Sequence, residues 1–156
     1  MTKPAEIAIS ADEGRSPAAA VERELMYLAR TLDAVQRKRA YPLERSEFII
    51  LRILSEDGAQ GVGKLAKRLL LDDSTMTRQI AGLEQKGLVT RTADPSDRRV
   101  GLIAATDAGA AAMEEMLAMR VARVETYLAD WRPAERQTFA RLLARLNAAL
   151  ADSVSE

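Results

Sequence analysis

Residues 61–106, GVGKLAKRLLLDDSTMTRQIAGLEQKGLVTRTADPSDRRVGLIAAT, change their hydrophobic period twice, and those changes decide the fold. In 61–70, Val62, Leu65, Ala66 and Leu69 recur at the three-and-four spacing of a helix with one buried face, while Lys64, Lys67 and Arg68 point elsewhere. Asp72, Asp73 and Ser74 can each accept a backbone N–H, and the acidic pair suits the positive end of a helix dipole. A second helix is therefore predicted from about Asp73. Along it Met76, Ile80 and Leu83 lie within about 60° of one another and form the core face. Gly87 then ends the helix as a left-handed cap, with Leu88 packing back.

The opposite side of that second helix carries Ser74, Thr77, Arg78, Ala81 and Gln85, with Thr75 on the flank. Hydroxyls can bond phosphates or base edges, Arg can grip guanine O6 and N7 as a fork, and small residues permit close approach to a groove. Next, residues 88–92 and 100–104 read as short strands around the turn-rich Ala93-Asp94-Pro95-Ser96-Asp97, a hairpin with Arg98 and Arg99 at its tip. Such a tip can reach a minor groove, with Asp97 orienting an arginine. Each part alone also has a plain reading as a solvated face or a surface ion pair. The order and lengths together, two short helices, a tight turn and a basic hairpin, are those of a winged helix-turn-helix.

The residues LAKRLLLDDSTMTRQIAGLEQKGLVTR, then Asp94-Pro95-Ser96-Asp97-Arg98-Arg99 and Thr106-Asp107-Ala108-Gly109, resemble the MarR-type transcriptional regulators. Ala105 departs from that pattern, which usually has Leu before the Thr. The resemblance implies a homodimer on double-stranded DNA, with Ser74, Thr75, Thr77, Arg78 and Gln79 in the major groove and Arg98 and Arg99 in the flanking minor groove. It also implies that the first and the last two helices form the dimer interface. A small aromatic or apolar effector would sit between the two regions, near Met113 and Met116, and release the DNA of a repressor. The alternative is a winged-helix protein-interaction or architectural module without a specific operator.

The flanks suit this plan. Residues 1–15 mix Pro, Gly, Ala and charge without a period and read as a flexible tail. Ser16-Pro17 starts a helix, in which Val21, Leu25, Leu28, Leu32 and Val35 make a seam of about two heptads. A further helix from about Glu44 to Glu56 is apolar on more than one side, as a buried strut would be. The segment 59–61 carries a weak signal for an extra strand beside the wing. Thr106 caps a long helix whose stripe is Met113, Leu117, Val121, Val124 and Leu128. Pro133 opens a last one carrying Phe139, Leu142, Leu143, Leu146 and Leu150, with Arg132 where a better N-cap is preferred.

The expected fold class is mainly α with a small β-hairpin wing: a winged helix-turn-helix at 43–106, flanked by dimerisation helices at 16–42 and 107–152. Dimer contacts are expected from Val21, Leu25, Leu28, Leu32, Phe139, Leu142, Leu143 and Leu146.

Composition narrows the function. The chain has 156 residues, no Cys and no His, so disulfides, thiolate or imidazole metal sites, thiol sensing and histidine pH switching are excluded. The commonest general base and activated nucleophile are missing as well, so neither an enzyme nor a cofactor is expected. No apolar run is long enough for a bilayer and no secretory signal pattern opens the chain, so a cytoplasmic protein with no membrane partner is expected. The net charge of zero hides an asymmetry: nine basic against ten acidic residues in 1–60, eight against five in 61–101, and six against eight in 102–156. The positive excess falls in the predicted DNA-reading region.

Overall fold

The computed structural model describes residues 16–37, 41–93 and 101–155. The expected tail at 1–15 and the wing tip with Asp97, Arg98 and Arg99 lie outside the described residues. Two compact units divide the chain, one ending at Ala40 and the other starting at Tyr41.

The first unit contributes α1 (Pro17–Arg37). Ser16 starts it as expected, its hydroxyl and carbonyl oxygens accepting from the Ala19 N–H and the carbonyl also from Ala20. Val21, Leu28 and Leu32 of the predicted seam are exposed, as are Met26 and Tyr27, while Leu25 is half-buried.

The second unit runs α2 (Arg45–Asp57), β1 (Gln60–Gly61), α3 (Val62–Arg68), α4 (Asp73–Gln85), β2 (Val89–Ala93), β3 (Gly101–Ala105), α5 (Asp107–Tyr127) and α6 (Pro133–Ser155). α2 is the predicted strut: Phe48, Ile50, Leu51, Ile53 and Leu54 are all buried. A reciprocal capping box starts it, Glu44 accepting from the backbone of Glu47 and Glu47 accepting from the Glu44 N–H at 3.0 Å. The weakly signalled strand exists. β1 pairs with β3, Gln60 opposite Ile103, and β3 pairs with β2, Val89 opposite Ala105, in an antiparallel sheet of order β1-β3-β2. Among the described strand residues Val89 of β2 and Ile103 of β3 are buried, while Thr90–Ala93 of β2 are exposed.

One apolar core joins α2, α3, α4, the strand starts and the first half of α5, where Met113 and Met116 are buried. The expected boundary at 106/107 therefore passes through a shared core. Thr106 is the reason α5 begins where it does: its hydroxyl accepts from the Gly109 N–H at 3.1 Å and donates to the Gly87 carbonyl at 2.7 Å. Further along α5, the Arg120 and Arg123 guanidiniums lie 5.2 Å and 5.3 Å over the rings of Phe48 and Tyr41, and Arg123 also donates to the Tyr41 hydroxyl. On the same half of α5 Val121, Val124 and Tyr127 are exposed.

Among the described residues of α6 none is buried; Phe139 and Leu142 are exposed, Leu143 and Leu146 half-buried. Arg132, a poor cap by residue type, is rescued by Glu135, whose carboxylate accepts from the Arg132 N–H at 2.8 Å and its guanidinium at 2.6 Å. That pairing holds the Glu135 carboxyl below its ordinary range.

Candidate nucleic-acid interface

The turn between α3 and α4 is tighter than its sequence advertises. α3 ends at Arg68, two residues short of the predicted stretch, because Leu70 takes a left-handed conformation with φ of 56°. The Leu70 N–H then bonds the Lys67 carbonyl at 3.2 Å and the Leu71 N–H bonds the Ala66 carbonyl at 2.9 Å, the paired bonds of a Schellman end. Glycine is the usual residue there, and Leu accepts a cost of about 1–2 kcal/mol. The reward is geometric: Leu69 and Leu71 fold back on the core and α4 leaves at a fixed angle to α3.

Asp72 is the N-cap of α4. One carboxylate oxygen accepts from the Thr75 N–H at 2.7 Å and the Ser74 hydroxyl at 2.5 Å, and the other accepts from the Thr75 hydroxyl at 2.8 Å. The Ser74 hydroxyl first, then the N–H and hydroxyl of Thr75, hold this carboxyl well below the usual carboxylate range. Met76, Ile80 and Leu83 are fully buried, as their spacing predicts. The other end closes at Gly87, φ 69°, with its N–H on the Glu84 carbonyl at 2.9 Å and the Leu88 N–H on the Leu83 carbonyl at 3.0 Å.

With its core face committed, α4 presents Ser74, Thr77, Arg78, Ala81 and Gln85 to solvent. Ser74, Thr75, Thr77 and Arg78 come together on the first two turns, where the Arg78 guanidinium donates to the Thr75 hydroxyl at 3.2 Å. Their chemistry differs in one respect from the expectation. The Ser74 and Thr75 hydroxyl protons go to Asp72, and that of Thr77 goes to the Asp73 carbonyl at 2.7 Å. As arranged, these hydroxyls offer lone pairs rather than protons, which suits an exocyclic amine on a base edge better than a phosphate oxygen. Gln79, expected in the same set, is half-buried on the side of α4 toward Leu69 and Leu71, and its Oε1 is buried without a hydrogen-bond partner. Met113 and Met116, expected beside an effector pocket, are buried in the core.

The positive excess is also partly neutralised. Arg68 pairs with Asp57, Lys86 with Glu47 at 2.6 Å, and Arg91 with Glu84 at 3.0 Å. The last two were not legible in the sequence: they tie the end of α4 to α2 and the first wing strand to α4. Among the described residues Lys64 and Lys67 of α3 carry no ion pair and are exposed, so they and Arg78 are the cations of this region most open to phosphate.

A three-stranded wing beside an α3–turn–α4 unit, with one face of α4 buried and the other polar and exposed, defines a winged helix-turn-helix DNA-binding protein. Comparison with known proteins narrows this class. The model of the MarR family matches residues 43–100. The chain is 38% identical over 143 residues to the uncharacterized HTH-type transcriptional regulator YxaD of Bacillus subtilis, covering 90% of this chain and 99% of that protein. Among solved structures it is similar to a MarR family protein from Bacillus stearothermophilus, with a TM-score of 0.74, 29% identity, and coverage of 85% of this chain and 94% of that one. It is also similar to BpsR of Bordetella bronchiseptica, whose DNA binding is regulated by 6-hydroxynicotinic acid, with a TM-score of 0.65, 26% identity, and coverage of 82% and 98%. The chain belongs to the MarR family: it is a DNA-binding transcriptional regulator, and its relatives are regulators rather than enzymes.

Proposed function

We propose that the protein is a homodimeric repressor that reads a pseudo-palindromic operator and is released from it by a small molecule. The observation that carries the reading is the division of α4 into a fully buried Met76-Ile80-Leu83 face and an exposed Ser74-Thr77-Arg78 face. A helix so held enters a major groove with Arg78 toward a guanine and the hydroxyls toward neighbouring bases, while Lys64 and Lys67 meet phosphates. Arg98 and Arg99 of the wing are assigned the flanking minor groove on the residue pattern alone.

Dimerisation is supported by exposed apolar side chains that a lone chain leaves in water: Val21, Leu28 and Leu32 on α1 and Phe139 and Leu142 on α6. With Leu25, Leu143 and Leu146 they form the stripes that a twofold interface buries. A dimer sets its two α4 helices about one helical turn apart, ~10 bp, and an operator overlapping a promoter then gives repression by occlusion. Release follows if a ligand binds the DNA-free form better than the DNA-bound one. The regulation of BpsR by a small aromatic acid supports this step by likeness of fold. A location in the cytoplasm follows from acting on chromosomal DNA, and no described helix is long and apolar enough to cross a membrane.

Sedimentation equilibrium tests the assembly. The expected mass is twice 17.1 kDa for the free protein, and that plus one duplex on DNA. A monomer at micromolar concentration that binds one half-site as tightly as two would refute the dimeric reading.

A further inference from the structure

Asp72, Thr75 and Arg78 stand three residues apart, so they are neighbours along one ridge at the start of α4. Their polar atoms form a chain. Arg78 Nη2 donates to Thr75 Oγ1 at 3.2 Å, and Thr75 Oγ1 donates to Asp72 Oδ2 at 2.8 Å. The other carboxylate oxygen, Oδ1, accepts from the Thr75 N–H at 2.7 Å and from the Ser74 hydroxyl at 2.5 Å. An N-cap needs one acceptor on a backbone N–H, and Oδ1 supplies it. Oδ2 is left to fix the Thr75 hydroxyl, which has its proton on Asp72 and a lone pair on Arg78. Thr75 is also half-buried, whereas Ser74, Thr77 and Arg78 are exposed.

We propose that Asp72 and Thr75 are positioning residues for base reading: through the Thr75 hydroxyl they hold the Arg78 guanidinium in the orientation in which it meets its base. The proposal rests on the DNA-reading role of α4. A long arginine side chain gives up rotamer freedom when it grips a base, and one already held gives up less. The carboxylate polarises the Thr75 hydroxyl and makes its oxygen a stronger acceptor for the guanidinium. Asp72 stays ionised in this role, because its donors keep the carboxyl well below the usual carboxylate range. One N–H of the guanidinium goes to Thr75, and the others remain for guanine O6 and N7. An arginine that swings freely takes a phosphate as readily as a base, and phosphate contacts carry no sequence information. Tethered, it is matched to one base position. Thr75 thus leaves the set of base-contacting residues and acts through Arg78.

The test compares Thr75→Val, which removes the hydroxyl and keeps the shape, with Thr75→Ser, which keeps the hydroxyl. Asp72→Ser joins them: Ser caps a helix as well as Asp does but offers no second oxygen to Thr75, so its melting temperature should stay near the wild type. In the free, full-length protein, nuclear spin relaxation of the Arg78 Nε–Hε group should show an ordered side chain in wild type and Thr75→Ser. It should show a mobile one in Thr75→Val and Asp72→Ser. On DNA the measure is the ratio of affinities for the operator and for a duplex changed at the base pair whose preference Arg78→Ala relaxes. That ratio should fall about three- to tenfold in Thr75→Val and Asp72→Ser, the range for one hydrogen bond. Thr75→Ser should restore it, and adding Thr75→Val to Arg78→Ala should lower it no further. Equal order of Arg78 in every variant, or an unchanged ratio in both Thr75→Val and Asp72→Ser, would overturn the proposal. So would the same fall in the Arg78→Ala background, which would make Thr75 a base reader itself. An Arg78→Ala protein that selects the wild-type motif defeats base reading by Arg78 and this proposal with it; a relaxed Arg78→Ala motif beside unchanged ratios in Thr75→Val and Asp72→Ser defeats the proposal alone.

Discussion

Gly109→Ala separates two physical accounts of α5 by the sign of its effect. Helix propensity alone makes the change stabilising, by about 1 kcal/mol, since Gly109 lies inside a helix. The structure says the opposite. A methyl group at this position would stand 2.0 Å from the Leu88 carbonyl oxygen, 2.9 Å from its carbon and 3.0 Å from Leu51 Cδ2. The nearest obstacle is backbone, so no rotamer relieves it, and the Leu88 carbonyl must retreat by roughly 1.4 Å to reach ordinary contact. That oxygen accepts the Thr106 N–H at 3.1 Å, and the adjoining Gly87 carbonyl accepts the Thr106 hydroxyl at 2.7 Å. Losing both bonds costs about 1 kcal/mol each, and crowding Leu51 in the core about 1–3 kcal/mol. Against the propensity gain the net is a loss of about 2–4 kcal/mol. In urea unfolding at fixed protein concentration, with a slope near 2 kcal/mol per M, the midpoint should fall by about 1–2 M. A midpoint equal to or above that of the wild type would refute the close approach of the α4–β2 turn to α5.

Other expectations follow from the same contacts. Thr106→Ala should lose about 1–2 kcal/mol and Thr106→Ser less than half of that, because Ser keeps the hydroxyl that serves both Gly109 and Gly87; equal losses on thermal melting would remove the cap from the account. The depressed Asp72 carboxyl contributes stability that is complete above its ordinary value of 3.8 and is lost as pH falls below it, so Asp72→Asn should show a flatter acid limb in stability measured from pH 5 downward; parallel limbs would contradict the cap. Arg78→Ala should cost about 1–3 kcal/mol on an operator and relax preference at one base position, read by competition between matched and scrambled duplexes. Leu142→Asp should shift sedimentation toward 17.1 kDa and weaken operator binding, and an unchanged dimer would take this part of α6 out of the interface.

What could be read in the sequence was whatever a period or a cap announces. Met76, Ile80 and Leu83 follow from spacing, the end at Gly87 from glycine's access to positive φ, and the start at Thr106 from a hydroxyl before an acidic first turn. Even the two-residue β1 left a trace. Contacts between distant segments were out of reach, because nothing in a local pattern says which backbone passes a given residue. Gly109 is the clearest instance: its lack of a side chain serves Leu88, 21 positions earlier, and the one available hint was a glycine where a helix former would be cheaper. Leu70 was hidden for a related reason. It continues an apolar run, so periodicity extends the helix through it, whereas the fold turns there against the residue's own conformational preference.

The candidate site shows the same limit. Ser74, Thr75, Thr77 and Arg78 could be placed on one face by angle alone, and the structure gathers them. Which atom of each hydroxyl faces outward depends on Asp72 and the Asp73 carbonyl, hydrogen-bond partners that spacing does not reveal. Gln79 sits one step further around α4, close enough in angle to be grouped with the reading face, yet it is half-buried and lines a groove with Leu69 and Leu71. By composition the methionines of α5 read more readily as core filler than as pocket lining, and Met113 and Met116 are buried in the core. Cations were countable in sequence but their availability was not, since Arg68, Lys86 and Arg91 are partnered by acids from other elements.

The central claim is that two copies of α4 read DNA bases as a symmetric pair. Selection of bound sites from random double-stranded DNA, at near-physiological salt and in parallel with Arg78→Ala, tests it most directly. The account predicts one inverted repeat with half-sites about one helical turn apart, ~10 bp, degraded at the same position in both halves by the variant. Recovery of no motif by a folded dimer, or an identical motif from wild type and Arg78→Ala, would contradict it.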